Sequence, residues 1–163
     1  MRLGIAFLFF LALLSACATE NTEQLQPLSL LQYGLPITIL APDSAEVKSV
    51  DMGILKDVTI TGEENYAVQI IASRSLNSDM KGLVGEQLAE VKKNPFFSKV
   101  VEEEDNGFIF ENAIDSTRTN YGFRYIHLAG EQELIIQNGL MGIFSRAEID
   151  RMYRAVHPQP VAK

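Results

Sequence analysis

Alternating apolar and polar positions dominate the chain after residue 36 and predict mainly β-strands. The β-branched residues concentrate in two runs, 54–61 and 66–73, and Gly62-Glu63-Glu64-Asn65 between them is typical of a hairpin turn. An Asn106-Gly107 pair lies between two further runs and favours a type I′ turn, which needs positive φ. The same criteria predict the remaining strands at 37–40, 46–50, 97–103, 108–113, 121–128 and 133–137.

Two segments have the 3.6-residue period of a helix instead. Over 78–93, Ser78 resembles an N-cap, Asn94-Pro95 ends the segment, and apolar residues recur on one face. Over 146–156, Ser145 and Glu148 have the spacing of a capping box. The apolar face of this second helix contains Ile149, Met152, Tyr153 and Val156.

Strands, a helix, four antiparallel strands and a last helix follow one another in a single domain. Because the strands and helices are segregated, this order predicts an α+β fold, a mainly antiparallel sheet flanked by two helices. The order over residues 35–157 resembles that of the PsbP-like domains. That resemblance implies a module for binding or assembly.

The first 16 residues have the layout of an export signal. Arg2 is followed by apolar residues 3–14, which as a helix would rise about 18 Å, less than the roughly 30 Å of a bilayer core. Small residues then precede Cys17, as at a signal cleavage site.

Leu14-Ser15-Ala16-Cys17 resembles the lipobox of bacterial lipoproteins. The resemblance implies cleavage between Ala16 and Cys17, a covalent lipid on the Cys17 thiol and a membrane anchor. Ala18 replaces the aspartate that retains enteric lipoproteins in the inner membrane, which implies the outer membrane, facing the periplasm, in a Gram-negative host. We expect residues 17–27 to be the lipidated cysteine and a flexible tether, 28–157 the domain and 158–163 a tail.

Charge and cysteine content narrow the classes of function. Without residues 1–16 the chain has 13 basic and 21 acidic side chains, a net charge of −8 that disfavours nucleic acid as a partner. Cys17 is the only cysteine, so the chain forms no internal disulfide and no CxxC site.

Catalytic and metal-binding motifs are not recognised in the sequence. His127 and His157 are 30 positions apart, and we interpret His127 as a residue of the sheet and His157 as a helix cap. Glu102-Glu103-Glu104-Asp105 lacks the ligand spacing of a calcium loop and is interpreted as a solvated hairpin end. We therefore expect no catalytic residue, no metal and no cofactor besides the lipid on Cys17.

One strand carries a candidate partner surface. Its alternate residues Tyr121, Phe123, Tyr125 and His127 share one side, and aromatic residues are enriched at interfaces. The alternative is that these rings are core, and the sequence leaves open which side of the strand is buried. The leading hypothesis is a non-enzymatic envelope lipoprotein that binds an envelope protein or other component, and the alternative is an envelope hydrolase with an unfamiliar site.

Overall fold

Seven antiparallel strands form the main sheet of residues 24–157, the part of the chain that the computed structural model describes. Residues 1–23, which include the predicted export signal and Cys17, and residues 158–163, the predicted tail, lie outside these residues. The strands of the main sheet are β3 (Glu46–Asp51), β4 (Leu55–Thr61), β5 (Ala67–Arg74), β6 (Phe97–Glu104), β7 (Gly107–Ala113), β8 (Thr119–Ala129) and β9 (Gln132–Asn138). A separate two-stranded ribbon consists of β1 (Gln26–Ser29) and β2 (Thr38–Ala41), with a 3-10 turn, Leu31–Tyr33, between them.

The two predicted helices are present as α1 (Met80–Val91) and α2 (Arg146–Ala155). Asp79, not Ser78, occupies the N-cap position of α1. The capping box of α2 is confirmed, because both hydrogen bonds between Ser145 and Glu148 are formed. The segregated helices and the antiparallel sheet confirm an α+β fold for the described domain.

Strand order in the main sheet is β3-β4-β5-β9-β8-β7-β6. The hairpins β3–β4, β4–β5, β6–β7, β7–β8 and β8–β9 are local in sequence. The pairing of β5 with β9 is not local, and it joins the two groups of hairpins through pairs such as Ile70 with Ile136. Helix α1 connects β5 near the centre of the sheet to β6 at its edge. Strands β7, β8 and β9 then add inwards one after another, so that β9 lies beside β5.

Helices cover both faces of this sheet. Along β7, Phe108 and Phe110 belong to the apolar cluster beneath α1, whereas Ile109 between them belongs to the cluster beneath α2. This alternation follows from the two-residue period of a strand. Both sides of β8 are therefore packed, which answers the question that the sequence left open.

The described domain begins earlier than predicted. Gln26 and Pro27, which we had assigned to the tether, lie in β1, and Leu25 and Leu28 pack against the main core. Strand β1 is short and mostly exposed, so its residues have no clear apolar alternation. The predicted boundary at Leu28 is therefore corrected to about Leu25.

Candidate functional site

The aromatic residues of β8 do not form an open surface. Phe123 and Tyr125 are buried, and the Tyr153 ring of α2 lies edge-on to both, with centroid distances of 5.6 and 6.0 Å. The hypothesis of an exposed partner surface is corrected for these two residues. The physical reason is that α2 places its own aromatic side chain against this side of the sheet.

Tyr121 and His127, at the two ends of the same row, are only partly buried. The Tyr121 hydroxyl donates to Glu111 Oε2 at 3.1 Å on the neighbouring strand. His127 lies opposite Leu134, and burial lowers the pKa of its imidazole. A neutral ring is therefore favoured at physiological pH, in keeping with a histidine of the sheet.

His157 lies just after α2 between two tyrosine rings, and it contacts the acidic hairpin. Its ring centroid is 4.8 Å from that of Tyr125 and 5.0 Å from that of Tyr153. Its Nε2 is 3.5 Å from Glu104 Oε2, and the Tyr153 hydroxyl donates to the same carboxylate oxygen at 3.2 Å. Burial and the nearby Glu104 charge raise the pKa of Tyr153, which keeps this hydroxyl a proton donor.

The acidic residues of the β6–β7 hairpin therefore hold the hairpin to α2. Glu102 forms an ion pair with Arg146 at 2.5 Å, which adds a second contact to that of Glu104. Our interpretation of this hairpin as merely solvated is corrected for these two carboxylates. Within residues 24–157 no group of three or more histidine, aspartate or glutamate side chains has the arrangement of a metal site.

Arg124 is the most unusual charged residue of the described domain. It lies in the middle of β8, opposite Gln137 on one side and Phe108 on the other, and faces α1. Its guanidinium donates to Phe123 O at 3.0 Å and lies 5.7 Å from the Phe110 ring centroid. Burial lowers the pKa of Arg124 to about 10, so the group remains protonated at neutral pH.

The guanidinium of Arg124 forms no ion pair with any carboxylate of residues 24–157. Glu90 acts on it only through a longer-range charge interaction, and the Glu90 carboxylate pairs with Lys93. A partly buried arginine ordinarily has a carboxylate partner, because removing a charge from water is costly. Most of the five N–H donors of this arginine are therefore available to a ligand.

A cavity of about 290 Å³ opens beside Arg124 at the end of the sheet where α1 finishes. Four asparagines from separate parts of the chain contribute to its wall, together with two glycines and a leucine of the β9–α2 loop. The lining residues are Glu90, Val91, Asn94, Phe110, Asn112, Asn120, Tyr121, Gly122, Arg124, Asn138, Gly139, Leu140 and Gly142.

Asn112 is the least satisfied of these asparagines. Its side chain is only 7% exposed, and its Oδ1 has no hydrogen-bond partner among residues 24–157. Buried polar groups are almost always paired, so this oxygen, which solvent does not reach, is an exception among the residues of the cavity wall. Asn112 pairs across the strands with Asn120, so two amides lie side by side at this point.

The other amides are fixed by the backbone. Asn120 Oδ1 accepts from the N–H of Phe144 at 2.7 Å, and Asn138 Oδ1 accepts from the N–H of Phe123 at 3.1 Å. These bonds orient both side chains without using the Asn120 amide nitrogen, which is left as a donor. The cavity thus combines a guanidinium, an amide donor and the orphan amide of Asn112.

Glycine at position 122 creates the space for this arrangement. A Cβ there would lie 2.5 Å from the Phe110 ring and 3.0 Å from Asn138 Oδ1. Any larger residue would displace both the ring that contacts Arg124 and the oriented amide. The sequence did contain a signal for the cavity, since asparagine is depleted in strands and yet occurs at three strand ends, 112, 120 and 138.

Comparisons with protein-family models, with curated proteins and with solved structures give no match for this chain. The resemblances to a lipobox and to PsbP-like element order remain predictions. No helix of residues 24–157 has the length and apolar character needed to cross a membrane.

Proposed function

We propose that this chain is a lipid-anchored protein of the bacterial envelope whose α+β domain is a non-enzymatic binding module. In this proposal Cys17 carries the lipid, and the cavity beside Arg124 holds the ligand. The observation that carries the proposal is the partly buried Arg124 guanidinium, which lacks a carboxylate partner within residues 24–157 and lines the same cavity as the amides of Asn112 and Asn120.

The chemistry of the cavity selects a small ligand with a carboxylate. Guanidinium and carboxylate groups form paired, charge-assisted hydrogen bonds, the strongest that this cavity offers. The Asn120 amide nitrogen is a donor in the same wall, so an amide carbonyl beside that carboxylate completes the match. N-acylated amino acids and the carboxyl end of a peptide share this combination. The volume of about 290 Å³ lies at the small end of the range for ligand sites.

The lining also favours binding over hydrolysis. Among the described residues of the wall there is no serine, threonine, cysteine, lysine or histidine, and the carboxylate of Glu90, which also lines it, pairs with Lys93. His127 lies on the other face of β8, the face packed against α2. The cavity therefore has groups to hold an anion and to orient it, without a catalytic set beside them.

A titration of the full chain with N-acetylglycine tests the proposal. We expect saturable heat release. The control ligand is N-acetylglycinamide, which has no carboxylate. It should bind at least about tenfold more weakly, because hydrogen bonds to charged groups are worth about 1.5–3 kcal/mol. Arg124→Gln should weaken binding similarly, whereas Arg74→Gln, which changes an exposed arginine in β5, should have no effect. Equal binding of both ligands, or no loss in Arg124→Gln, would contradict the assignment.

A further inference from the structure

We propose that the loop between β9 and α2, residues 139–143, inserts its apolar side chains into the bilayer that carries the lipid anchor. This docking loop presents Leu140, Met141 and Ile143 to solvent, with exposed fractions of 77, 89 and 57%. The inference rests on the proposed lipid anchor at Cys17, but it concerns a different part of the molecule.

Exposed apolar side chains are common singly, but three within four consecutive residues form a local apolar tip. Transfer of such side chains from water to an apolar phase is favourable, and three of them supply several times the thermal energy. Phe144, the next residue, is fully buried and its backbone bonds to both Asn120 and Tyr121, so the base of the loop is fixed to the sheet. The tip is therefore held outward instead of folding back on the core.

The docking loop lies at the same end of the domain as the start of the described chain. Gln26 in β1 pairs with Ala41, and Pro42 lies against Gly62 in the β4–β5 turn. Asn65 in that turn donates to Ile143 O at 3.2 Å. These contacts form a continuous path from the chain start to the loop across one end of the sheet.

The short connection to the anchor decides which end of the domain faces the bilayer. Six residues, 18–23, separate Cys17 from Gln24, so even a fully extended chain spans at most about 25 Å. Strand β4, with seven residues, spans roughly 23 Å towards the opposite end of the sheet, so that end approaches the bilayer only when the connection is almost fully extended. The end that carries the docking loop is therefore the end that the anchor keeps near the membrane.

Charge argues for apolar rather than electrostatic docking. The lipid-bearing chain has a net charge of −8, and Glu63 and Glu64 lie in the turn beside the docking loop. An anionic bilayer would repel this end, whereas a zwitterionic bilayer imposes no such penalty. We therefore expect insertion into phosphatidylcholine that does not depend on ionic strength.

The exposed residue Ile54 provides a matched control at the opposite end of the molecule. It belongs to the β3–β4 turn and is 86% exposed, close to the 89% of Met141. A probe at either position should leave the core intact, because neither side chain is buried. In the lipidated chain the thioether consumes the Cys17 thiol, so a cysteine introduced at 54 or 141 is the only reactive thiol.

The experiment uses the full lipidated chain in phosphatidylcholine vesicles whose acyl chains are brominated. Met141→Cys and Ile54→Cys are each labelled with a fluorophore that bromine quenches on contact. We expect strong quenching at 141 and little at 54, both unchanged between low and high salt. Quenching that is absent at 141, or equal at the two positions, would overturn the docking of this loop while leaving the anchor in place.

Failure of the anchor itself is distinguished by the unmodified chain. If Cys17 carries lipid, this chain takes up no thiol-reactive fluorophore and stays with the vesicles. Uptake of the fluorophore would show a free Cys17 thiol and would overturn the lipid anchor together with the docking that depends on it. Ligand binding in the Arg124 cavity is measured separately and is unaffected by that result.

Discussion

Ser145 and Glu148 bond to each other in both directions at the start of α2. The N–H of Glu148 donates to Ser145 Oγ at 3.3 Å, and the N–H of Ser145 donates to Glu148 Oε2 at 2.6 Å. Asn65 adds a bond from its amide nitrogen to Glu148 Oε1 at 3.0 Å. The capping box therefore also ties the helix to the β4–β5 turn, on the side of the docking loop.

This arrangement makes the stability of the domain depend on the charge of Glu148. Burial alone would raise the pKa of Glu148, but bonds from Ser145 and Asn65 bring it below its ordinary value of 4.5. Because the folded pKa is the lower one, the stabilisation is complete above the unfolded value and is lost as the pH falls through the folded value. We expect Glu148→Gln to cost about 1 kcal/mol at pH 7.

Denaturant melts at a series of pH values check this prediction. The difference in unfolding free energy between the wild type and Glu148→Gln should shrink as the pH falls below 4.5. Glu63→Gln alters an exposed carboxylate in the neighbouring turn and is the control, with a change within about 0.5 kcal/mol. A difference that stays constant with pH would show that the carboxylate charge does not support the cap.

Met152 should matter more than the cap, because it lies in the core beneath α2. Its side chain is buried, and its sulfur lies 3.3 Å from the backbone nitrogen of Ala67 in β5. Met152→Ala should reduce the unfolding free energy by roughly 2–5 kcal/mol, since a cavity adds to the lost transfer energy. Met152→Leu, which conserves volume, should cost less than about 1.5 kcal/mol in the same melts. A neutral Met152→Ala would mean that α2 does not pack on the sheet in solution.

The fold was largely predictable because its hairpins are local. The turns at Gly62 and Asn106-Gly107 and the capping box at Ser145 each specify structure within a few residues. The strands and helices beside these turns begin and end within about two residues of the predicted bounds. Strand β1 was missed because four mostly exposed residues have no periodicity that distinguishes them from a tether.

The strand-end asparagines were a signal for the candidate site, but the sequence could not show that they meet, because the site depends on pairing between distant strands. Asn112 and Asn120 meet through the local β7–β8 hairpin, but Asn138 joins them only because β9 lies between β8 and β5. The sequence also could not show that helices cover both faces, which buries Phe123 and Tyr125 and leaves Arg124 beside a cavity. Alternation along β8 identifies the two sides of the strand but does not say what packs against each.

The proposed lipid attachment at Cys17 has a direct test in the intact cell. Cys17→Ser should abolish the incorporation of labelled fatty acid, because a serine hydroxyl cannot form the thioether. The protein should then remain uncleaved or leave the membrane fraction after a carbonate wash. Ser15→Ala keeps a small residue before the cleavage site and should label normally. Labelled and membrane-bound Cys17→Ser protein would show that the lipobox interpretation is wrong.

The stability effect of removing the Arg124 charge separates a ligand site from a structural one. Burial lowers the pKa of Arg124 to about 10, below its ordinary value in the unfolded chain, so at neutral pH the charged guanidinium is less stable in the folded chain than in the unfolded one. Methionine has a similar length and no charge to desolvate. In place of the guanidinium, its apolar side chain would pack against the Phe110 ring. We therefore expect Arg124→Met to be neutral or to raise the unfolding free energy by about 1 kcal/mol at pH 7.

Arg74→Met provides the comparison, because Arg74 is exposed and its ion pair with Glu131 is 3.6 Å long. The unfolding free energy of Arg74→Met should therefore differ from that of the wild type by no more than about 0.5 kcal/mol. If the Arg124 charge is kept for a ligand, Arg124→Met gains or keeps stability while losing the response to N-acetylglycine. If the charge instead holds β8 in place through its bond to Phe123, Arg124→Met loses more than about 2 kcal/mol. That second result, obtained with Arg74→Met unchanged, would contradict the binding proposal, because the cost of burying the arginine would then be offset within the fold itself.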